Sequence, residues 1–297
     1  MSIDSQVTVE KMLSQIDSLP ELPAVALKVS QLLDDPSTDA KALGDVIMLD
    51  PGLLTEVLKL CNSAQYSLSR KIATISEAVA LLGHRALRQI VFTIISHGVL
   101  NREVNGYGLE AGALWENSVT CGVYAKHLAI KAGFMDTELA FIAGLLRDIG
   151  KIALDCHLSR KSQALQQIIR GQKLSFLNAE EQTAGANHSV VGAYLSHQWN
   201  LPEKLTLAIQ WHHAPSRLPQ TASTEECKLV ALIHLADIFT MMTGTGTGID
   251  GLMYSLDDHV LKMLDLPPDG LILEQWYAEL LEIQNEIEIV LLTFGNH

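Results

Sequence analysis

Gly144-Leu-Leu-Arg-Asp-Ile-Gly-Lys151 places Arg147 and Asp148 among Leu145, Leu146 and Ile149, in the middle of an apolar helical run. Charges beside a core are costly unless they pair or hold a metal, so any fold that accepts this stretch must supply partners for both residues. Two readings follow. In one, the pair is partly exposed at a helix end, with Gly150 as the stop and Lys151 offsetting the helix dipole. In the other, the pair lies inside and marks a site.

The flanking sequence is a succession of apolar segments at helical period. Leu19-Pro-Glu-Leu-Pro23 fixes an extended lead into a helix carrying Leu22, Val25, Val29, Leu32 and Leu33, stopped at Asp34-Asp-Pro36. Asp39 caps a second helix (Leu43, Val46, Ile47), and Asp50-Pro51 reads as N-cap and first residue of a third, with Leu54, Val57, Leu58 and Cys61 inward. Ser76 caps a short helix ending at Gly83, and a longer one follows through Leu87, Ile90, Val91 and Ile94. After a polar interval, Asn101 to Gly112, helices are expected over Trp115–Lys131, Asp136–Ile149, 160–183 (broken at Gly171), His188–Trp199, Glu203–His213 and Lys228–Met242. A final helix carries Ile272, Trp276, Leu280, Ile283, Ile287, Leu291 and Phe294, a stripe that reads first as a docked core face and second as a seam for a partner helix. Only 5% of the 297 residues are aromatic while 48% are apolar, which suits helices packed on helices: an all-α chain.

Several function classes lose ground here. A net charge of −13 argues against general binding to nucleic acid or anionic membrane. Ile75 to Ile90 can be read as a helix-turn-helix with Arg85 and Arg88 on its second helix, but the acidic balance favours two packed core helices. Thr243-Gly-Thr-Gly-Thr-Gly248 looks like a phosphate loop only superficially, since no strand precedes it and no Lys-Ser/Thr follows; a flexible connection is expected. The four cysteines (Cys61, Cys121, Cys156, Cys227) are far apart, residues 1–18 read as an amphipathic lead-in without a signal peptide, and no window of about 18 uncharged apolar residues occurs, so a reducing cytoplasm is the expected compartment.

Four motifs in order carry a family resemblance: Leu19-Pro-Glu-Leu-Pro23, Asp50-Pro51-Gly-Leu, Leu60-Cys-Asn-Ser-Ala64 and Ile75-Ser-Glu-Ala-Val-Ala-Leu-Leu-Gly83. Together they resemble the N-terminal part of bacterial HDOD domains, a branch of the HD superfamily in which catalytic residues are commonly lost. Gly-Leu-Leu-x-Asp-Ile-Gly-Lys is likewise similar to the HD metal-dependent phosphohydrolases, where a His-Asp pair stands at these positions; here the His is replaced by Arg147. The resemblance implies a multi-helix HD-type fold: an N-terminal half (19–101) packed on an HD-like half (102–242), with 243–297 completing it.

It also implies a set of site residues. The ligands of a first metal fall on Asn117, Arg147, Asp148 and Asp237, and two of these four are lost. A guanidinium that stays protonated can stand in for a cation, so Arg147 is expected to pair with Asp237, Asp148 or both. The second set, Asp148, His188, His212 and His213, is intact, so one divalent ion there is the cofactor the resemblance allows, though none is required; the alternative is that the histidines are hydrogen-bonded relics. His84, His97, His127, His157, His197, His234, His259 and His297 show no metal spacing.

The expected function is a non-catalytic signal-transduction module acting through contacts with a separate signalling protein. The alternative is a single-metal phosphohydrolase acting on nucleotides or cyclic dinucleotides, although residues 200–220 lack the Gly-Tyr-Pro of the related HD-GYP phosphodiesterases. A third expectation is a small anionic ligand held by Arg147 and the histidines without cleavage.

Overall fold

The computed structural model describes residues 24–34, 40–63, 66, 70–161, 165, 168, 175–251 and 254–294. The 1–18 lead-in, the Leu19–Pro23 segment, the stop at 35–36, Asp39, Ala64, Gly171 and His297 lie outside the described residues, as do the side chains of Leu33 and Asp34.

Helices α1 (Ala24–Asp34), α2 (Ala40–Ile47), α3 (Pro51–Cys61) and α4 (Ile75–Leu100) make the N-terminal half. Asp50 caps α3 by accepting from Leu53 N, with Pro51 in the first turn. Asn62 then ties the following loop back: its amide donates to Leu58 O and Ile72 O, and its carbonyl accepts from Ile72 N at 2.7 Å. Thr74, rather than Ser76, caps α4. Gly83 does break the helix, as a kink at φ 82 and ψ 166 within Ile75–Leu100. By length and composition α4 could cross a membrane, but half of its most apolar window is buried inside the protein. Arg85 donates to Met135 O and Arg88 pairs with Asp136 at 2.6 Å, so both arginines anchor this half onto the next.

The second half comprises α5 (Ala113–Lys131), α6 (Thr137–Leu146), α7 (Gly150–Arg160), α8 (Phe176–Ala184), α9 (His188–Gln198), α10 (Glu203–Trp211) and α11 (Thr224–Thr243). Helix α5 lies centrally, packed on α6 and α11, and these three helices bury residues on nearly every face. Helix α11 starts earlier than Lys228, at a capping box made by Ser223 and Glu226. The 101–112 interval is not a loose spacer: Val104 bridges Leu109, and Tyr107 on the turn between them is fully buried.

The chain closes with α12 (His259–Met263), α13 (Leu271–Leu280) and α14 (Gln284–Phe294), the last two separated by a 3-10 turn over Leu281–Ile283. The expected single helix is therefore two. Its stripe still docks: Trp276, Leu280, Ile287 and Phe294 are buried, and Gln284 donates to Tyr124 Oη on α5. Among the described residues there is no strand.

The largest departure from expectation is at the Arg-Asp pair. Helix α6 ends at Leu146, residues 147–149 form a turn, and Gly150 begins α7 instead of stopping a helix. The reason is a close crossing: a Cβ on Gly150 would stand 1.9 Å from the His188 carbonyl of α9. This contact places the turn against the start of α9, so Arg147 and Asp148 are 0% and 2% exposed. The partly exposed reading of the pair is wrong.

Candidate metal centre

Arg147 leaves the end of α6 and completes its hydrogen bonds inside the protein. Its Nε donates to Asp237 Oδ1 (2.6 Å) on α11, and one terminal nitrogen donates to Gly144 O (3.0 Å). The other terminal nitrogen donates to Asn117 Oδ1 on α5 and lies 3.2 Å from Asp148 Oδ2. The four residues expected at the first metal position are thus brought together with the guanidinium among them. Charge-assisted bonds to Asp237 and Asp148 answer the demand of a buried cation.

Asp148 is the shared residue. Its Oδ2 faces Arg147 and Lys151 Nζ (3.1 Å), and its Oδ1 faces His188 Nε2 (3.2 Å) and His212 Nε2 (3.7 Å). Burial works to raise its pKa, but Lys151, Arg147 and the two imidazoles outweigh this and hold the carboxyl well below the usual range.

The histidine tautomers follow from their outer partners. His188 Nδ1 lies 2.9 Å from both oxygens of Glu180, whose Oε2 also accepts from His188 N; Tyr107 Oη donates to the same carboxylate. His212 Nδ1 donates to Ile209 O at 2.7 Å. With Nδ1 spent as a donor, each neutral ring carries its lone pair at Nε2, the atom turned toward Asp148. His188 Nε2 also lies 3.0 Å from His213 Nε2. Lone pairs that converge on lone pairs require a cation or a proton between them. Asp148 Oδ1 and His212 Nε2 are in fact buried without a hydrogen-bond partner.

This arrangement tests the fit of a metal. One donor atom from each of Asp148, His188, His212 and His213 lies within 4.8 Å of the others. Donors around a divalent ion at about 2.1 Å stand roughly 3.0–3.4 Å apart. His188 Nε2 meets this with Asp148 (3.2 Å) and His213 (3.0 Å), and His212 Nε2 stands slightly wider at 3.7 Å from Asp148. Two permanent cations, Arg147 and Lys151, face four buried carboxylates (Asp148, Glu180, Asp237 and Asp250), so with neutral rings the cluster is short of positive charge. The second set therefore fits one divalent ion. The first does not, because its carboxylates are taken up by Arg147. Without a metal, a proton meets part of the demand. Burial opposes charging His188, but Glu180 and Asp148 raise its pKa to about 9. Burial, then His212 and His188, hold His213 well below its ordinary value and therefore neutral.

Five residues of the centre were not expected from sequence. Lys151, far from offsetting a helix dipole, bridges Asp148 and Asp250 (2.7 Å); burial alone would lower its pKa, but the two carboxylates raise it. Glu180 and Tyr107 orient His188, and Tyr254 stacks on the His213 ring with centroids 3.8 Å apart. Lys151 stands only three residues from Asp148, but its second partner Asp250 is 99 residues away and Tyr107 is 73 residues from Glu180, contacts that no local spacing marks. Of the other histidines, His234 is a satisfied core group, bonded to His212 O and Asp257 N.

Comparison with known proteins identifies the family and the fold. The HDOD domain profile matches residues 19–215. An HDOD domain protein of unknown function from Geobacter sulfurreducens is 26% identical, with a TM-score of 0.76 and 98% of each chain covered. A candidate phosphohydrolase from Shewanella amazonensis SB2B shares the fold at 20% identity, with a TM-score of 0.71 over 96% of this chain and 97% of that one. An uncharacterised Treponema pallidum protein is 27% identical over 209 residues; the match spans 69% of this chain and 40% of that protein's length.

Proposed function

Because this chain belongs to the HDOD domain family, we propose that it is a non-catalytic regulatory module, its HD-type centre turned into an internal brace, acting through contacts with a separate signalling protein. The observation that carries this reading is Arg147: at 0% exposure, its guanidinium lies among the residues expected at the first metal position, bonded to Asp237, Asn117 and the Gly144 carbonyl and 3.2 Å from Asp148.

The second reading, a single-metal phosphohydrolase acting on nucleotides or cyclic dinucleotides, is favoured by the convergence of Asp148, His188, His212 and His213. These four residues would hold the ion, which would supply a water of lowered pKa. Phosphodiester cleavage also needs free positive charge for the phosphate. Arg147 and Lys151 are each shared between two carboxylates, so neither offers it. A small anion bound at Arg147 would have to displace Asp237 or Asp148, which weighs against the third reading.

The test is metal analysis of protein purified without chelators, with turnover of a generic phosphodiester in the presence of manganese. The regulatory reading expects no turnover above that of His212→Ala. Turnover that this substitution abolishes would overturn it.

A further inference from the structure

The Gly-Thr segment after α11, expected to be a flexible connection, is laid across the centre. Asn117 donates to Thr245 O at 2.8 Å, and Ile249 N donates to Tyr107 O at 2.9 Å. A Cβ on Gly246 or Gly248 would stand 2.1 Å from the Ala113 or Tyr107 carbonyl, so only bare backbone can run here. Asp250, 1% exposed, then meets Lys151, and Tyr254 covers the His213 ring at an interplanar angle of 15°. Residues 244–251 therefore contact Asn117 and the lysine beside Asp148, and Tyr254 contacts His213.

Tyr254, but none of residues 244–251, borders a cleft of about 520 Å³ that is also lined by Asn178, Asn187, Arg217, His213 and His259. The His213 side chain is only 3% exposed. The segment has little apolar anchorage: Ile249, the one large apolar side chain of residues 244–251, is 39% exposed. What fixes it is polar, the backbone bonds at Thr245 and Ile249 and the buried Lys151–Asp250 pair at 2.7 Å. Neutral hydrogen bonds contribute about 1 kcal/mol each, so the ion pair is the strongest single tie.

We propose that residues 244–251 and Tyr254 form a removable cover on this centre, latched by the Lys151–Asp250 pair. Release of the cover decides whether a cation or ligand in the cleft can reach His213 and Asp148. This rests on the regulatory reading above and gives the centre a closed and an open state, a difference that a partner protein can bias.

Histidine carbethoxylation by diethylpyrocarbonate, followed by mass spectrometry near neutral pH, tests the cover without reference to turnover. His259, exposed in the same cleft, is the internal reference. In the unmodified protein His213 is expected to react at least about tenfold more slowly than His259, the protection factor of a mostly closed element. Tyr254→Ala should bring the two rates together. Asp250→Asn should accelerate His213 as well, although Asp250 does not touch it, and should speed hydrogen exchange at the Ile249 amide. Equal His213 and His259 rates in the unmodified protein would overturn the proposal. So would Asp250→Asn protein, helical by circular dichroism, with unchanged His213 reactivity and Ile249 exchange; this second variant decides the matter if Tyr254→Ala fails to fold. Turnover abolished by His212→Ala would sink the regulatory reading while leaving these rates as measured.

Discussion

Arg147→Met removes the guanidinium while keeping most of its volume, so it separates charge from packing. Asp148 keeps Lys151 at 3.1 Å, but Asp237 loses its 2.6 Å partner, and its Oδ2 is left with only the neutral His213 imidazole, Nδ1 3.5 Å away, in place of a cation. One carboxylate is thus left buried and unpaired, a lesion worth about 3–5 kcal/mol. At about 2 °C per kcal/mol for a chain of this size, the melting temperature should fall by about 6–10 °C. Thermal and urea unfolding followed by circular dichroism would read this. Asp237→Asn breaks the same pair from the other side, and the double variant should lose less than the sum of the two by about 2 kcal/mol, since contacting residues do not add. Arg147→Ala, which also empties the space, should recover stability when a divalent cation is added, by mass action on the folded state. Arg147→Met within about 0.5 kcal/mol of the unmodified protein, or a strictly additive double variant, would refute the claim that this arginine replaces a cation.

The converse change, Asn117→His with Arg147→His, restores two imidazoles at the first position and should raise affinity for manganese or zinc in calorimetric titration; unchanged affinity would mean that the rest of the first position can no longer seat an ion. The pH dependence has a definite sign. His188 is raised from 6.5 to about 9 by Glu180 and Asp148 against the effect of burial, so in metal-free protein its contribution is fully present below about pH 6.5 and is lost as the pH rises through about 9. The linked free energy is on the order of 3 kcal/mol, and urea unfolding across that window should show it. His188→Gln should flatten the slope.

Much of this architecture was legible in the residues themselves. Periodic apolar positions and Asp50-Pro51 before α3 fix helices by local geometry, and the N-terminal motifs carried the family resemblance. A charged pair in an apolar run required partners whatever the fold, and the resemblance supplied Asn117, Asp237, His188, His212 and His213, which the structure gathers around Arg147 and Asp148. Local signals failed where two distant segments approach. The start of α7 at Gly150 depends on the His188 carbonyl of α9, and a lone glycine in sequence reads equally as a helix stop.

What the sequence determined by itself is therefore most of the helices, their buried faces and the presence of an unusual interior charge, because these depend on residues within a turn or two of one another. Tertiary structure alone decided how that charge is answered. Lys151 meets Asp250 across 99 residues, and Tyr107 reaches Glu180 across 73. Helical period tells which side of a helix turns inward, but not which residue of another segment stands opposite, and it is that opposing residue that sets tautomer, charge balance and access at the centre.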